Sequence, residues 1–188
     1  MNTRRQTDRE NPIIRRLKAD HRRFAHLIRH MEWTMARCRH GEGVDAETMK
    51  QFVAYCSEHA DHHHHPLEDR LFACMVKREP GLATVVKRME SEHVQLHKAT
   101  DRLDQLLGDM GRKHFVPRSE FLDALESYLA LYHQHMLIEE SELFARMEET
   151  LTAQDWEAVT AWLAEQSPSP FDDPHSHQYQ TIERLLAR

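Results

Sequence analysis

In His59-Ala-Asp-His-His-His-His-Pro-Leu-Glu-Asp-Arg-Leu-Phe72, an imidazole and a carboxylate, His64 and Glu68, stand four residues apart. On an α-helix that spacing is one turn along a single face. Side chains of these two kinds, so placed, form a two-toothed claw for a first-row metal such as iron. The same claw recurs downstream as His135-Met-Leu-Ile-Glu139. Successive residues turn by about 100° around a helix axis, so at most one or two of His62 to His65 face inward. His65, three residues before Glu68, competes with His64. The four-residue repeat at His135 and Glu139 favours His64.

Outward from this stretch the chain reads as helices. With 188 residues, 30% of them charged and only five glycines, it suits one domain of long helices with few turns. The first helix begins at Asn11-Pro12, a polar cap and a proline at the first helical position. Ile14, Leu17, His21, Phe24, Ile28 and Met31 follow at helical spacing, and Gly41-Glu-Gly43 ends the run. The second helix runs from Asp45 to Glu79 and is broken by Pro80-Gly81. Pro66 lies inside it and should bend it locally, because proline removes a backbone donor. The third spans about Leu82 to Leu107 and ends at Gly108. His93 and His97 lie one turn apart on it, without the His-Glu-x-x-His order of a zinc protease. A polar connection leads to Ser119 and a fourth helix carrying Tyr128, Tyr132, His135, Glu139 and Leu143. The tyrosines are core fillers or hydrogen-bond partners to a ligand.

Four long amphipathic helices with short connections predict an all-α fold, an antiparallel up-down-up-down four-helix bundle with extra C-terminal helices. Its expected limits are a flexible N-terminus over 1–10, the bundle over 11–150, and a helical extension over 151–188 that caps the bundle or forms a homodimer contact. The net charge of −6 argues against a nucleic-acid partner. No apolar run has membrane-spanning length or signal-peptide form, so no membrane association is expected and the location expected is cytoplasmic. Cys38, Cys56 and Cys74 form no Cys-x-x-Cys and read as buried, inert thiols.

The 16 histidines are the compositional anomaly. Height along the bundle tests whether they meet. His21 and His64 lie about equally far from the first turn, roughly 30 Å at 1.5 Å per residue. Glu68 and His93 are likewise balanced across Pro80-Gly81, and His97 and His135 share a level more loosely. His21, His64, Glu68, His93, His97, His135 and Glu139 therefore converge near mid-height. Without a metal they would be a costly buried polar cluster. Five imidazoles and two carboxylates exceed one ion's needs and suit two first-row ions with bridging carboxylates, a bridging oxygen species and a position left open. Iron is favoured over zinc, which is satisfied by four ligands. A ferritin-like scheme wants two Glu-x-x-His motifs, and Glu90-Ser-Glu-His93 supplies one.

Asp20-His-Arg22, His64-His-Pro-Leu-Glu-Asp69 with Leu71-Phe72, Glu92-His93, and His135-Met-Leu-Ile-Glu-Glu140 with Leu143-Phe144 together resemble a bacterial hemerythrin-like, HHE cation-binding domain. The resemblance covers about residues 12 to 150. It implies a four-helix bundle around a non-haem di-iron centre, with His21, His64, Glu68, His93, His135 and Glu139 at the matching positions. His97 matches the extra histidine of oxygen-carrying hemerythrins. Their final carboxylate is an aspartate five residues after its histidine, whereas Glu139 follows His135 by four. Reversible oxygen carriage is thus less firmly implied than iron binding. The function expected is a di-iron protein that binds dioxygen, another small diatomic or a peroxide ligand, for sensing, buffering or iron storage. The alternatives are a redox enzyme or iron donor acting on peroxide, on nitric oxide or in damage repair, and a helical interaction protein whose histidines fill its core.

Overall fold

The computed structural model describes residues 10–169 and 172–187, so most of the expected flexible N-terminus lies outside the described residues. Helix α1 (Pro12–Arg39) starts as expected: the Asn11 side chain accepts a hydrogen bond from the Ile13 N–H, and Pro12 occupies the first turn. It ends at Gly41, whose left-handed φ of 91° lets the chain reverse.

The second long helix is one continuous rod of three parts, α2 (Ala46–Tyr55), a π-helical segment (Cys56–His64) and α3 (His65–Arg78). Pro66 falls in the first turn of α3, directly after the wide segment. Its missing N–H and its ring are thus accommodated where the ordinary i→i−4 ladder is already interrupted. After a short 3₁₀ turn, α4 runs Ala83–Gly111, four residues beyond the expected end. Gly108 is buried within it; the Arg112 guanidinium lies over its face, and the chain turns only at Lys113, which adopts φ 60°. The fourth rod is again composite: α5 (Arg118–Ile138), a π-helical turn (Glu139–Leu143) and α6 (Phe144–Thr150).

These four rods form the predicted antiparallel bundle, and no strand occurs among the described residues. No helix among them is long and apolar enough to cross a membrane. Further helices α7 (Ala153–Ala164) and α8 (His177–Leu186) follow. Helix α7 packs on α3, where Arg78 donates two hydrogen bonds to Asp155, at 2.9 and 3.0 Å. Helix α8 lies against α1 and α2 and buries Ile182.

The apolar interior is in two parts. One contains Phe24, Met31, Phe52, Tyr55, Leu103, Phe121 and Tyr132; the other contains Ile14, Leu17, Leu71, Phe72, Met75, Met89, Phe144 and Val159. Between them, at one level on every rod, the inward positions are polar. They are Asp20 and His21, then His64, His65 and Glu68, then Glu92 and His93, and last His135 and Glu139.

A candidate metal centre between two apolar cores

Seven side chains meet in that layer: His21, His64, His65, Glu68, His93, His135 and Glu139, all buried, with both glutamates fully so. Helix α1 brings His21, α4 brings His93, and α5 with the wide turn after it brings His135 and Glu139. The second rod brings three. The π-helical turn spreads its residues over a wider loop than an α-turn does, so the neighbours His64 and His65 both reach the interior.

Glu68 and Glu139 lie at the middle. His64 Nε2 is 3.2 Å from Glu68 Oε1, and His93 Nε2 is 3.5 Å from Glu68 Oε2. His21 Nε2 is 3.3 Å from Glu139 Oε2, and His135 Nε2 is 3.2 Å from Glu139 Oε1. Each carboxylate therefore faces imidazoles on both sides. Two compact donor groups result: His21, His64 and Glu68, and His65, Glu68, His93 and His135, with the donor atoms of each group within 4.8 Å of one another. Glu68 belongs to both.

The other ring nitrogens explain how the rings are aimed. Each Nδ1 faces a carboxylate: His21 faces Glu140 (2.9 Å), His64 Asp20 (3.3 Å), His65 Asp61 (3.3 Å), His93 Asp69 (2.8 Å) and His135 Glu92 (3.3 Å). An ionised carboxylate only accepts, so in the four hydrogen-bonded pairs, those of His21, His64, His93 and His135, the Nδ1–H donates. Four pairs follow one rule. Asp20, Asp69, Glu92 and Glu140 each adjoin a cluster residue of their own rod (His21, Glu68, His93 and Glu139) and serve the imidazole of the next rod round the bundle. The fifth departs from it, because Asp61 and His65 share a rod.

In those four rings Nδ1 carries the proton, and Nε2 presents a lone pair. The Nε2 atoms of His21, His93 and His135 and all four carboxylate oxygens of Glu68 and Glu139 are buried without a hydrogen-bond partner. Seven such atoms in one place would cost on the order of 10 kcal/mol at about 1–3 kcal/mol each. A bound cation, or protons, would satisfy them. In the metal-free chain protons do part of this. Burial would depress His64, but the Glu68 and Asp20 carboxylates outweigh it and raise it to about 9. His93 likewise overcomes burial, through Asp69, Glu139 and Glu68, and rises to about 12. His21 is raised well above the ordinary value against burial, by Glu139, Glu140 and Glu68. Burial and then the neighbouring cation at His93 keep His65 well below its usual value, and burial chiefly lowers His135. The same imidazoles, His64 first among them, hold Glu68 well down against its burial.

Six of the seven residues singled out in the sequence thus meet in this layer, and His97 does not. Its side chain is half exposed, with Nδ1 2.9 Å from Asp61. Leu96 takes the inward place on that turn of α4. His65, which the four-residue repeat disfavours against His64, is also in the layer. A further polar chain runs outward from His64: Asp20 lies 3.1 Å from His59 Nε2, and His59 Nδ1 lies 3.0 Å from Ser169 Oγ. The tyrosines serve mainly as core: Tyr128 and Tyr132 pack edge to face at 5.0 Å in the neighbouring apolar cluster. Cys38 and Cys56 are buried as expected, and Cys74 is only partly so.

A family model described as Hemerythrin HHE cation binding domain matches residues 12–147. No curated protein and no solved structure matches the chain.

Proposed function

Since the chain belongs to the hemerythrin HHE cation-binding family, we propose that its mid-bundle layer holds two iron ions and serves to bind a small ligand, dioxygen or a related diatomic or peroxide. Glu68 and Glu139 lie between the two positions. His21 and His64 serve one ion, and His93 and His135 the other. The observation that carries this reading is the set of Nδ1–carboxylate pairs that turn buried Nε2 lone pairs onto two carboxylates with no other partner. A core that merely tolerated histidines would leave no such array unsatisfied.

Bound iron supplies Lewis acidity and redox chemistry toward such ligands. The chain's own residues aim the donors, hold the imidazoles in one tautomer and exclude bulk water with apolar cores on both sides. A cavity of about 750 Å³ lies on the α1–α2 face, lined by His26, Arg29, Trp33 and Phe52 among others. Neither it nor two further cavities, of about 160 and 530 Å³, is lined by a residue of the layer. Room for an organic substrate is found away from the layer.

Reconstitution with ferrous iron under anaerobic conditions, followed by metal analysis and visible spectroscopy on exposure to oxygen, tests the proposal. About two ions per chain and an oxygen-dependent absorption band are expected. Less than one ion per chain, or a spectrum indifferent to oxygen, would count against it. Catalytic turnover of peroxide or nitric oxide, lost in Glu68→Ala, would move the reading to the enzymatic alternative.

A further inference from the structure

We infer that His65, and not His97, supplies the third imidazole of the ion held by His93 and His135, while His97 steadies His65 from outside through Asp61. This rests on the two-ion reading and names a ligand within it.

Four observations carry it. His65 is buried, its ring stacks on that of His93 with centroids 4.2 Å apart and planes 15° apart, and it meets His135 edge to face at 5.6 Å. One of its ring nitrogens lies within 4.8 Å of donor atoms of Glu68, His93 and His135, a group that excludes His97. Its Nδ1 lies 3.3 Å from Asp61 Oδ1, so a carboxylate sits behind this ring as behind the others of the layer. Finally, Asp61 has two imidazoles, one per oxygen: Oδ1 faces His65 on the inside and Oδ2 accepts from His97 on the outside at 2.9 Å.

The backbone explains the exchange. Helix α4 is a regular α-helix at this level and buries Leu96 fully, so turning His97 inward would displace an apolar side chain. The second rod, opened by its π-helical segment, supplies two adjacent imidazoles instead, one directed toward His21 and one toward His93. His97 is left at the surface, where its Nε2 lies 3.7 Å from Asp101. There it is a positioning residue: it occupies the outer oxygen of Asp61 and leaves the inner one for His65.

Loading of the full chain with Co(II), counted per chain and followed by visible absorption and competition titration, tests this. The wild-type chain and His97→Ala should each hold about two ions, whereas His65→Gln should hold about one. In His97→Ala one ion should bind about 10-fold more weakly, the usual scale for loss of a group behind a ligand, with the Co(II) bands retained. Asp61→Asn should weaken the same ion, and adding His97→Ala to it should cost nothing more, because both act through one contact. Should His65→Gln fail to fold, His65→Ala carries the same expectation. Two ions in the His65 variant, or loss of an ion in His97→Ala, overturns the inference. Uptake of less than one ion by the wild-type chain overturns the two-ion reading itself, a failure visible before any variant is made.

Discussion

At the scale of single residues, the layer is a balance between protons and cations. A raised imidazole stabilises the fold while protonated; its contribution is whole below the unfolded value and fades as pH rises through the folded one. For His64 that window runs from 6.5 to about 9. The metal-free protein should therefore melt several degrees lower at the top of this window than at the bottom. Glu68, held low by its imidazoles, gives the opposite limb, with stability lost as pH falls below the ordinary 4.5. The metal-loaded protein, whose imidazoles hold a cation in place of protons, should show little of the alkaline slope. Thermal melts across pH with and without metal check this, and equal slopes in both forms would contradict it. A gentler change tests the carboxylates behind the rings. Asp69 sits behind His93 with its side chain 45% exposed, so Asp69→Asn should leave the fold intact. It should weaken metal binding by about 10- to 100-fold, read by chelator competition.

At the scale of elements, the four rods were legible because apolar positions recur at helical spacing between plain stop signals, Gly41 and Pro80 above all. The common level of His21, Glu68, His93 and His135 followed from counting residues to the turns. Two π-helical segments escaped that counting, since a fixed 100° step assumes an unbroken α-helix. Hence the four-residue repeat favours His64 over His65, whereas the wide turn brings both inward. Gly108 misled for a related reason: packing of Leu103, Leu106 and Leu107 carries α4 through a residue that is only locally unfavourable to helix. The partner carboxylates were visible as neighbours of the ligands, in Asp20-His21, Glu68-Asp69, Glu92-His93 and Glu139-Glu140, but only the bundle shows which ring each one serves. Deleting His62 would remove one residue from the wide turn. Residues before it and after it would then no longer both face the core, and Phe52 and Tyr55 would lose their places relative to Glu68. A loss of about 3 kcal/mol or more is expected, the cost of exposing one or two large side chains. Denaturant unfolding alongside metal counting would reveal it, and an unchanged midpoint would show that the π-turn is dispensable.

At the scale of the whole molecule, the layer divides the interior into two apolar halves, and the helices after Thr150 touch both. Helix α7 contributes Val159 to one half and α8 contributes Ile182 to the other, while Ser169 between them meets His59. We propose that residues 11–150 form the metal-binding bundle and that 151–188 are an extension packed upon it. A chain ending at Thr150 should keep its helices and bind metal, yet melt lower because both halves lose apolar cover. Retention of the full melting temperature would show that the extension adds nothing to the fold.

On the proposed reading, Glu68 and Glu139, ringed by imidazoles, hold two metal ions together. Iron content per chain after anaerobic loading, compared between the wild-type chain and Glu68→Ala/Glu139→Ala, distinguishes this from a metal-free polar core. About two ions in the former and none retained in the latter is the predicted result; less than one in the former, or equal amounts in both, would contradict it.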